Sequence, residues 1–175
     1  FADIRPQLLQ DLAMSAPEDR VNLAMLAQIE STESVALHVR WFDTGDEAHS
    51  SNMSLDYYAA TIPRLLAKIP CAHFFVFSDR PGDAATLLSP LMAGRPFTLV
   101  AHNAETGNAE ADFWLLRQCR HFIIGNSTFA WWAAWLGEQE RPGTQVFAPA
   151  RNVDPEHSMT AWGFPGLLPE RWTVR

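Results

Sequence analysis

The feature that most constrains the fold of this chain is an alternation of short β-prone runs with helix-forming stretches. In the stretches between the runs, apolar side chains recur every three or four residues, as they do on one face of a helix. Strands that alternate with helices pair in parallel through right-handed crossovers. The predicted fold class is therefore α/β, with a mostly parallel sheet and flanking helices. The strands are predicted at residues 34–40, 72–78, 97–100, 121–125 and 144–148, and the helices at residues 3–14, 17–29, 54–68, 81–92, 108–120 and 127–139.

The chain has 175 residues, which corresponds to one domain at roughly 150 residues per domain. We expect lead-in helices over about residues 1–33, the α/β core over residues 34–149, and a loop-rich tail over residues 150–175. The tail could fold back onto the core through its large aromatic side chains, which are Trp162, Phe164 and Trp172. The first residue is not Met and no signal-peptide pattern follows it, so we interpret the start as a cut within a longer chain.

Composition and charge argue against several classes of protein. The chain is 47% hydrophobic with a net charge of −7, which is typical of a globular protein and argues against a nucleic-acid partner. The two cysteines, Cys71 and Cys119, are far apart and fit no zinc-binding pattern, which favours a reducing compartment. We therefore expect a cytoplasmic location, with peripheral contact at a membrane as the alternative. The longest uncharged run, residues 122–137, is shorter than the ~20 residues of a membrane-spanning helix, so no transmembrane segment is expected.

The end of the first predicted strand carries the first candidate site residues. His38 and Arg40 lie two residues apart, so strand alternation places both side chains on one face, and Asp43 follows in the next loop. In an open α/β sheet this strand end faces the ligand crevice. An arginine there suits phosphate, because its planar fork donates two charge-assisted hydrogen bonds. The alternative is that His38 belongs to the core and Arg40 pairs structurally with Asp43.

A second candidate site lies where the predicted fourth strand leads into a helix. Asn126, Ser127 and Thr128 open that helix, and the N-terminus of a helix is a ready anion-binding position. The alternative is that Ser127 or Asn126 only caps the helix and needs no ligand. Three tryptophans on this helix are interpreted as core residues in preference to a sugar-stacking platform: Trp131, Trp132 and Trp135.

Two further carboxylates are candidates because of their positions. Asp79 follows the second predicted strand, and Asp112 lies near the start of the helix that leads to Cys119. Either could instead be a helix cap or a solvated side chain. The chain has no Gly-rich dinucleotide motif, no Walker loop and no Asp-x-Asp pair, so we expect neither a metal nor a dinucleotide cofactor.

Together these segments resemble the galactoside α-1,2-fucosyltransferases of bacteria and animals, which form glycosyltransferase family 11. Residues 36–43, Ala-Leu-His-Val-Arg-Trp-Phe-Asp, are similar to the family's Val-His-Ile-Arg-Arg-Gly-Asp segment. Residues 56–58 fall at the family's Tyr-Tyr helix start, and residues 74–79 match its Phe-Phe-Phe-Ser-Asp strand end. The most specific segment is residues 118–136, Gln-Cys-Arg-His-Phe-Ile-Ile-Gly-Asn-Ser-Thr-Phe-Ala-Trp-Trp-Ala-Ala-Trp-Leu. The resemblance covers about residues 1–149.

The resemblance implies a GT-B glycosyltransferase whose C-terminal, Rossmann-like domain binds GDP-fucose. Such an enzyme transfers L-fucose to a galactoside or other glycan in α-1,2 linkage, with inversion and without a metal. It also implies roles for particular residues: Arg40 would hold the diphosphate, His38 and Asp112 would seat the nucleoside, Ser127 and Thr128 would contact phosphate or sugar, and Asp43 would brace Arg40. Arg40 and His38 are the predicted catalytic residues, and Asp79 and Asn126 complete the predicted donor site.

Two departures from the family pattern modify these expectations. Trp41 stands where the family has a second arginine, and Phe42 replaces a glycine, so one positive charge near the phosphates is absent. The family's N-terminal acceptor domain is also absent from this sequence, and we therefore predict no turnover by the 175-residue chain alone. The alternatives are a non-catalytic module that binds GDP or a sugar, and an interaction domain that docks through its tryptophans.

Overall fold

The computed structural model describes residues 2–42, 52–92, 94–95, 97–104, 106–150, 162 and 166–175. A short 3-10 helix, Ala2–Ile4, precedes the regular elements. The helices are α1 (Arg5–Asp11), α2 (Arg20–Glu30), α3 (Leu55–Lys68), α4 (Pro81–Met92), α5 (Ala109–Gln118) and α6 (Thr128–Glu140). The strands are β1 (Glu33–Val39), β2 (Ala72–Ser78), β3 (Phe97–Val100), β4 (His121–Ile123), β5 (Val146–Ala148) and β6 (Thr173–Val174).

The strands form one sheet in the order β3-β2-β1-β4-β5-β6, and every described pair is parallel. The predicted α/β class with a mostly parallel, Rossmann-like sheet is therefore confirmed. The chain runs outward from β1 to β2 and β3, then crosses back to place β4 on the other side of β1. This reversal between β1 and β4 is the topological switch point, where open α/β sheets bind their ligands.

Helices cover both faces of the sheet, and alternation along β1 divides its side chains between the two layers. Val35 and Leu37 pack with α3 and α4, whereas Ala36 packs with α5 and α6. His38 and Arg40 continue the series of Ala36, so they lie on the side of α5 and α6. The two apolar layers bury most of β1 and β2 and all of β4 and β5. The polar candidate residues lie at the carboxyl ends of these strands.

Several predicted bounds differ from the observed ones. The first predicted helix ends earlier, at Asp11, and the second begins at Arg20. Asp19 is the N-cap of α2 and accepts a hydrogen bond from the backbone N–H of Asn22 at 2.9 Å. The capping carboxylate, which apolar periodicity does not register, therefore sets the start of this helix.

The tail contains a strand that the sequence analysis missed. Thr173 and Val174 pair with Phe147 and Ala148, and the two-residue strand is too short to show alternation. The tail folds back as predicted through Trp172, whose indole N–H donates to Glu138 Oε2 at 2.9 Å, and through Trp162, which is 5% exposed. Phe164 lies outside the described residues.

The interpretation of the α6 tryptophans as core residues is confirmed for two of them. Trp131 and Trp135 are 3% and 4% exposed, and their rings stack with 6.3 Å between centroids. Trp132 is half-buried and packs edge-on against both. None of the three lines the cavity of about 630 Å³ at the carboxyl ends of β1 and β2, and their mutual packing stabilises the layer of α6.

Candidate donor-binding site

A cavity of about 630 Å³ opens at the carboxyl ends of β1 and β2 and at the loops that follow β3 and β4. It lies at the switch point of the sheet. Seven of the predicted site residues line it: His38, Arg40, Asp79, Asp112, Asn126, Ser127 and Thr128. Asp43 lies outside the described residues, so its predicted contact with Arg40 stays a prediction. Because the parallel strands end at one edge of the sheet, residues up to ninety positions apart in the sequence meet around this cavity.

The Arg40 guanidinium is held by Asp79 at the cavity rim. The Nη1 atom of Arg40 lies 3.1 Å from Asp79 Oδ2, and Asp79 Oδ1 accepts the backbone N–H of Trp41 at 3.1 Å. The Arg40 side chain remains 43% exposed and lies 5.6 Å from the centroid of the Phe42 ring. An ion pair this exposed contributes little to stability. Its effect is to orient the guanidinium, whose other N–H groups can donate into the cavity.

His38 is buried at the base of the cavity and is 4% exposed. Its ring stacks on Phe129 at the start of α6, with 6.0 Å between the centroids. Burial lowers the pKa of His38 to about 4, and the nearby Arg40 charge also lowers it, while Asp79 raises it. The Nδ1 atom has no hydrogen-bond partner within the described residues. At neutral pH His38 is therefore an uncharged imidazole whose Nδ1 atom can donate a hydrogen bond to a ligand or accept one from it, depending on the tautomer.

Acidification should destabilise the protein through His38. Its pKa is about 4 in the folded protein and about 6.5 in an unfolded chain, so the unfolded state binds more protons between these values. This contribution is fully present above pH 6.5 and is lost as the pH falls toward 4. Between pH 7 and 4.5 the free energy of unfolding should fall in the wild type. In His38→Asn this fall should be smaller by about 2 kcal/mol, as measured by urea denaturation at the two pH values. An unchanged pH dependence in the variant would show that the imidazole titrates as freely in the fold as in water.

The N-terminus of α6 forms another wall of the cavity. Ser127 is the N-cap residue, 7% exposed, but its hydroxyl makes no capping hydrogen bond within the described helix. The simple capping interpretation of Ser127 is therefore not supported. The first-turn N–H groups of a helix have no acceptor inside the helix, and here they begin beside Thr128, which is exposed. The positive end of α6 and the Arg40 guanidinium together make this a favourable position for an anion.

Asp112 lies in the first turn of α5, and burial raises the pKa of its carboxyl. The amide of Asn103 donates a hydrogen bond to Asp112 Oδ1 at 2.8 Å, which works in the opposite direction and lowers that pKa. Asn103 is 4% exposed and lines the cavity. Asn103 is not among the site residues predicted from the sequence. Its position in the loop after β3, comparable to that of Asp79 after β2, could have identified it.

The cavity also has apolar walls that the sequence analysis did not assign to it. Phe77 and Phe129 line it from β2 and α6, and Trp162 reaches it from the tail. The Trp162 indole N–H donates to the carbonyl of Pro149 at 3.4 Å, which fixes the ring. A ligand in this cavity would therefore meet aromatic surface beside the cationic groups.

Metal-binding clusters and membrane-spanning helices are both absent from the described residues. The described residues contain no group of three or more His, Cys, Asp or Glu side chains placed to hold a metal ion. Among the helices of the described ranges, none is long and apolar enough to cross a membrane.

Comparisons with known proteins give consistent matches. The family model described as glycosyl transferase family 11 matches residues 3–159. The O-antigen biosynthesis glycosyltransferase WbnK of Escherichia coli is 31% identical over 116 residues, covering 63% of this chain and 37% of WbnK. The alpha-1,2-colitosyltransferase of Escherichia coli is 29% identical over 112 residues, covering 62% of this chain and 38% of that relative. The alignments therefore span less than two fifths of the length of either relative.

Among solved structures, a mutant of Arabidopsis thaliana FUT1 in complex with GDP has a TM-score of 0.46 and 17% identity. That match covers 77% of this chain and 34% of the plant protein.

Proposed function

We propose, because this chain belongs to glycosyl transferase family 11, that it is the donor-binding domain of a fucosyltransferase-type glycosyltransferase. The observation that carries the proposal is the cavity at the switch point, where the Arg40 guanidinium and the N-terminus of α6 line one crevice. Both are positive groups, in a chain whose net charge is −7. Local cationic groups in an acidic protein indicate a specific anionic ligand.

The proposed donor is GDP-fucose, used without a metal and without another cofactor. When the bond between the sugar and GDP breaks, the departing diphosphate gains negative charge. Arg40 and the first-turn N–H groups of α6 would stabilise that charge more strongly in the transition state than in the bound donor. Arg40 is the proposed catalytic group on this ground, and it takes over the charge neutralisation that a divalent ion supplies elsewhere.

His38 and Asp112 are proposed to seat the nucleoside. The low pKa of His38, about 4, makes its imidazole a weak base, so we assign it to hydrogen bonding with the donor in preference to proton abstraction. Asp112 lines the same cavity and would offer its carboxylate oxygens to N–H groups of a base. Ser127 and Thr128 would contact phosphate or sugar at the start of α6.

The acceptor and the linkage form a further part of the proposal. The name of one relative, an alpha-1,2-colitosyltransferase, specifies an alpha-1,2 linkage and supports that linkage alone. Inversion and a galactoside or related glycan as acceptor are proposed from the resemblance of the sequence segments to the family. In a GT-B enzyme the acceptor is held between two domains, and this chain aligns with less than two fifths of its relatives. We therefore expect no transfer from GDP-fucose to lactose by the 175-residue chain alone. The free thiols Cys71 and Cys119 support a reducing, cytoplasmic location.

Calorimetric titration with nucleotides tests the proposal. We expect the chain to bind GDP at least about tenfold more tightly than UDP or ADP, since buried polar groups at a base site reject bases that cannot pair with them. Equal affinities for the three nucleotides, or binding of none of them, would contradict the assignment of a GDP-sugar site. Inorganic diphosphate is the control for affinity that comes from the phosphates alone.

One observation favours a second candidate, a module that binds GDP or a sugar without catalysis. Trp41 occupies the position of the family's second arginine, so the cavity has one cationic side chain fewer than the family pattern. A transfer assay on a longer protein that includes the acceptor domain separates the candidates. Fucose transfer supports the enzyme, whereas GDP binding with no transfer to any galactoside supports the module.

A further inference from the structure

A buried chain of side-chain amides connects the lead-in helix α2 to the cavity. Asn22 on α2 and Asn103 after β3 form a reciprocal amide pair. Asn103 Nδ2 donates to Asn22 Oδ1 at 2.9 Å, and Asn22 Nδ2 donates to Asn103 Oδ1 at 3.1 Å. Asn103 Nδ2 also donates to Asp112 Oδ1 at 2.8 Å. Asn22 and Asn103 are 2% and 4% exposed, so this polar chain lies inside the protein.

The orientation of both amides is fixed by the carboxylate acceptors at the two ends of this series of hydrogen bonds. Asp19 accepts the side-chain N–H of Asn22 at 2.8 Å, and its pKa is lowered by the hydrogen bonds from Asn22, so it acts only as an acceptor. Asn22 Oδ1 must then face Asn103 and also His102, whose Nε2 lies 2.9 Å away and therefore carries the proton. With the amide of Asn22 set in this way, the remaining N–H of Asn103 can only point to Asp112.

The backbone around Asn103 is anchored as well. Its carbonyl accepts the backbone N–H of Asn108 at 3.0 Å and the hydroxyl of Thr106 at 3.1 Å. Asn108 in turn caps α5, because its side chain accepts the N–H of Ala111 at 3.1 Å. Asn103 and the first turn of α5 are thus parts of one fixed unit, and Asp112 belongs to that turn.

We propose that Asn103, braced by Asn22, is a positioning residue that orients the Asp112 carboxylate toward the two adjacent N–H groups of a guanine base. This inference rests on the proposed function, since it assumes that the cavity takes a GDP-sugar. Asn103 and Asp112 both line the cavity, whereas Asn22 does not, so Asn22 acts through Asn103. The specificity for guanine then depends on α2, which lies outside the α/β core.

Asp112 needs a fixed side-chain rotamer to bind the base, because its two oxygens can accept from two adjacent N–H groups only in one orientation. Within the described part of the chain, the Asn103 amide is the one hydrogen-bond donor to the Asp112 side chain. That bond fixes the plane of the carboxyl group and favours its ionised form against the effect of burial on its pKa. Guanine offers N1–H and the 2-amino group side by side, and the two oxygens of one carboxylate can accept both.

The ratio of affinities for GDP and IDP measures this orientation, because inosine lacks the 2-amino group. Calorimetry on the same protein preparation gives a ratio that does not depend on how much of the protein is folded. We expect the wild-type chain to prefer GDP by about tenfold, as for a good bidentate pair. Asn103→Asp keeps the size of the side chain but removes both N–H donors, and should bring the ratio near one. Asn22→Ala, outside the cavity, should reduce the ratio at least about threefold.

Thr61→Ala is the matched control, since Thr61 is fully buried on α3 and its hydroxyl bonds the carbonyl of Tyr57 at 2.7 Å, away from the amide chain. It should keep the wild-type ratio. If Asn103→Asp does not fold, Asn22→Ala decides the outcome. Variants that retain the wild-type ratio would overturn the positioning role, and so would a wild type that binds GDP and IDP equally. Failure of the wild-type chain to bind GDP at all would instead overturn the proposed function.

Discussion

Replacing Arg40 with alanine should reduce the affinity of the chain for GDP about 100-fold, or about 2.7 kcal/mol. The guanidinium stands at the cavity rim, where it can donate two charge-assisted hydrogen bonds to a diphosphate. Its removal also leaves the Asp79 carboxylate, now 3.1 Å from Arg40 Nη1, without its partner beside the phosphates. Calorimetry at fixed ionic strength measures the change, because the charge interaction depends on salt.

Three further variants separate charge from geometry. Arg40→Lys keeps the charge but loses the planar fork, so we expect an intermediate loss of about tenfold. Adding Asp79→Asn to Arg40→Ala should recover part of the affinity, since it removes the repelling carboxylate. Arg80→Ala is the matched control, because Arg80 lies beside Asp83 at 3.9 Å and is not among the cavity residues. If Arg40→Ala bound GDP like the wild type, the diphosphate would have to lie elsewhere.

Replacing Gly137 with alanine should destabilise the fold by about 3 kcal/mol, even though alanine usually favours a helix. Gly137 lies in α6 where the helix meets α5 and β4. A Cβ atom there would come within 2.6 Å of the Arg117 carbonyl oxygen and 2.7 Å of Phe122 Cζ. The first of these atoms belongs to the backbone of α5 and cannot rotate away. The helices would therefore have to separate, and the packing of α6 on the sheet would loosen.

Thermal unfolding measures this effect, with an expected fall in Tm of roughly 6 to 12 °C for a chain of this size. Gly82→Ala is the matched control on another helix, α4. A Cβ at Gly82 would meet nothing within 4 Å, so alanine there should be neutral or stabilising by up to about 1 kcal/mol. Equal Tm values for the two variants would mean that α6 can move away from α5 without cost.

Most polar residues around the cavity could be predicted from the sequence. Strand alternation, and the tendency of open α/β sheets to bind ligands at the carboxyl ends of their strands, can both be recognised within a few residues. His38 and Arg40 are two residues apart on one strand, so their common face follows from the period of the backbone alone. Asn126, Ser127 and Thr128 mark the start of a helix by their own chemistry. These signals do not depend on which strands pair, so they identify the ends of the first and fourth strands without knowledge of the strand order.

The partner of Arg40 shows what such local signals leave open. The contact expected with Asp43, three residues away, stays a prediction, whereas the ion pair that Arg40 makes with Asp79 was not predicted from the sequence. The reason is strand register: Val39 pairs with Ser78, so Arg40 and Asp79 are the next residues to come side by side. Register between two strands depends on how their whole apolar faces pack, and no window of sequence around Arg40 contains that information.

The class of the fold, the strand ends around the cavity and the types of side chain at each of these ends follow from the amino-acid sequence alone. Which of these side chains meet depends on the folded chain, because contacts across the sheet join residues that are far apart in sequence. Asn22 and Asn103 are 81 positions apart, and Trp162 reaches the cavity from a tail with no periodic pattern. Backbone periodicity acts over a few residues and can be read in sequence. Burial and hydrogen-bond partnership depend on the packing of the whole chain.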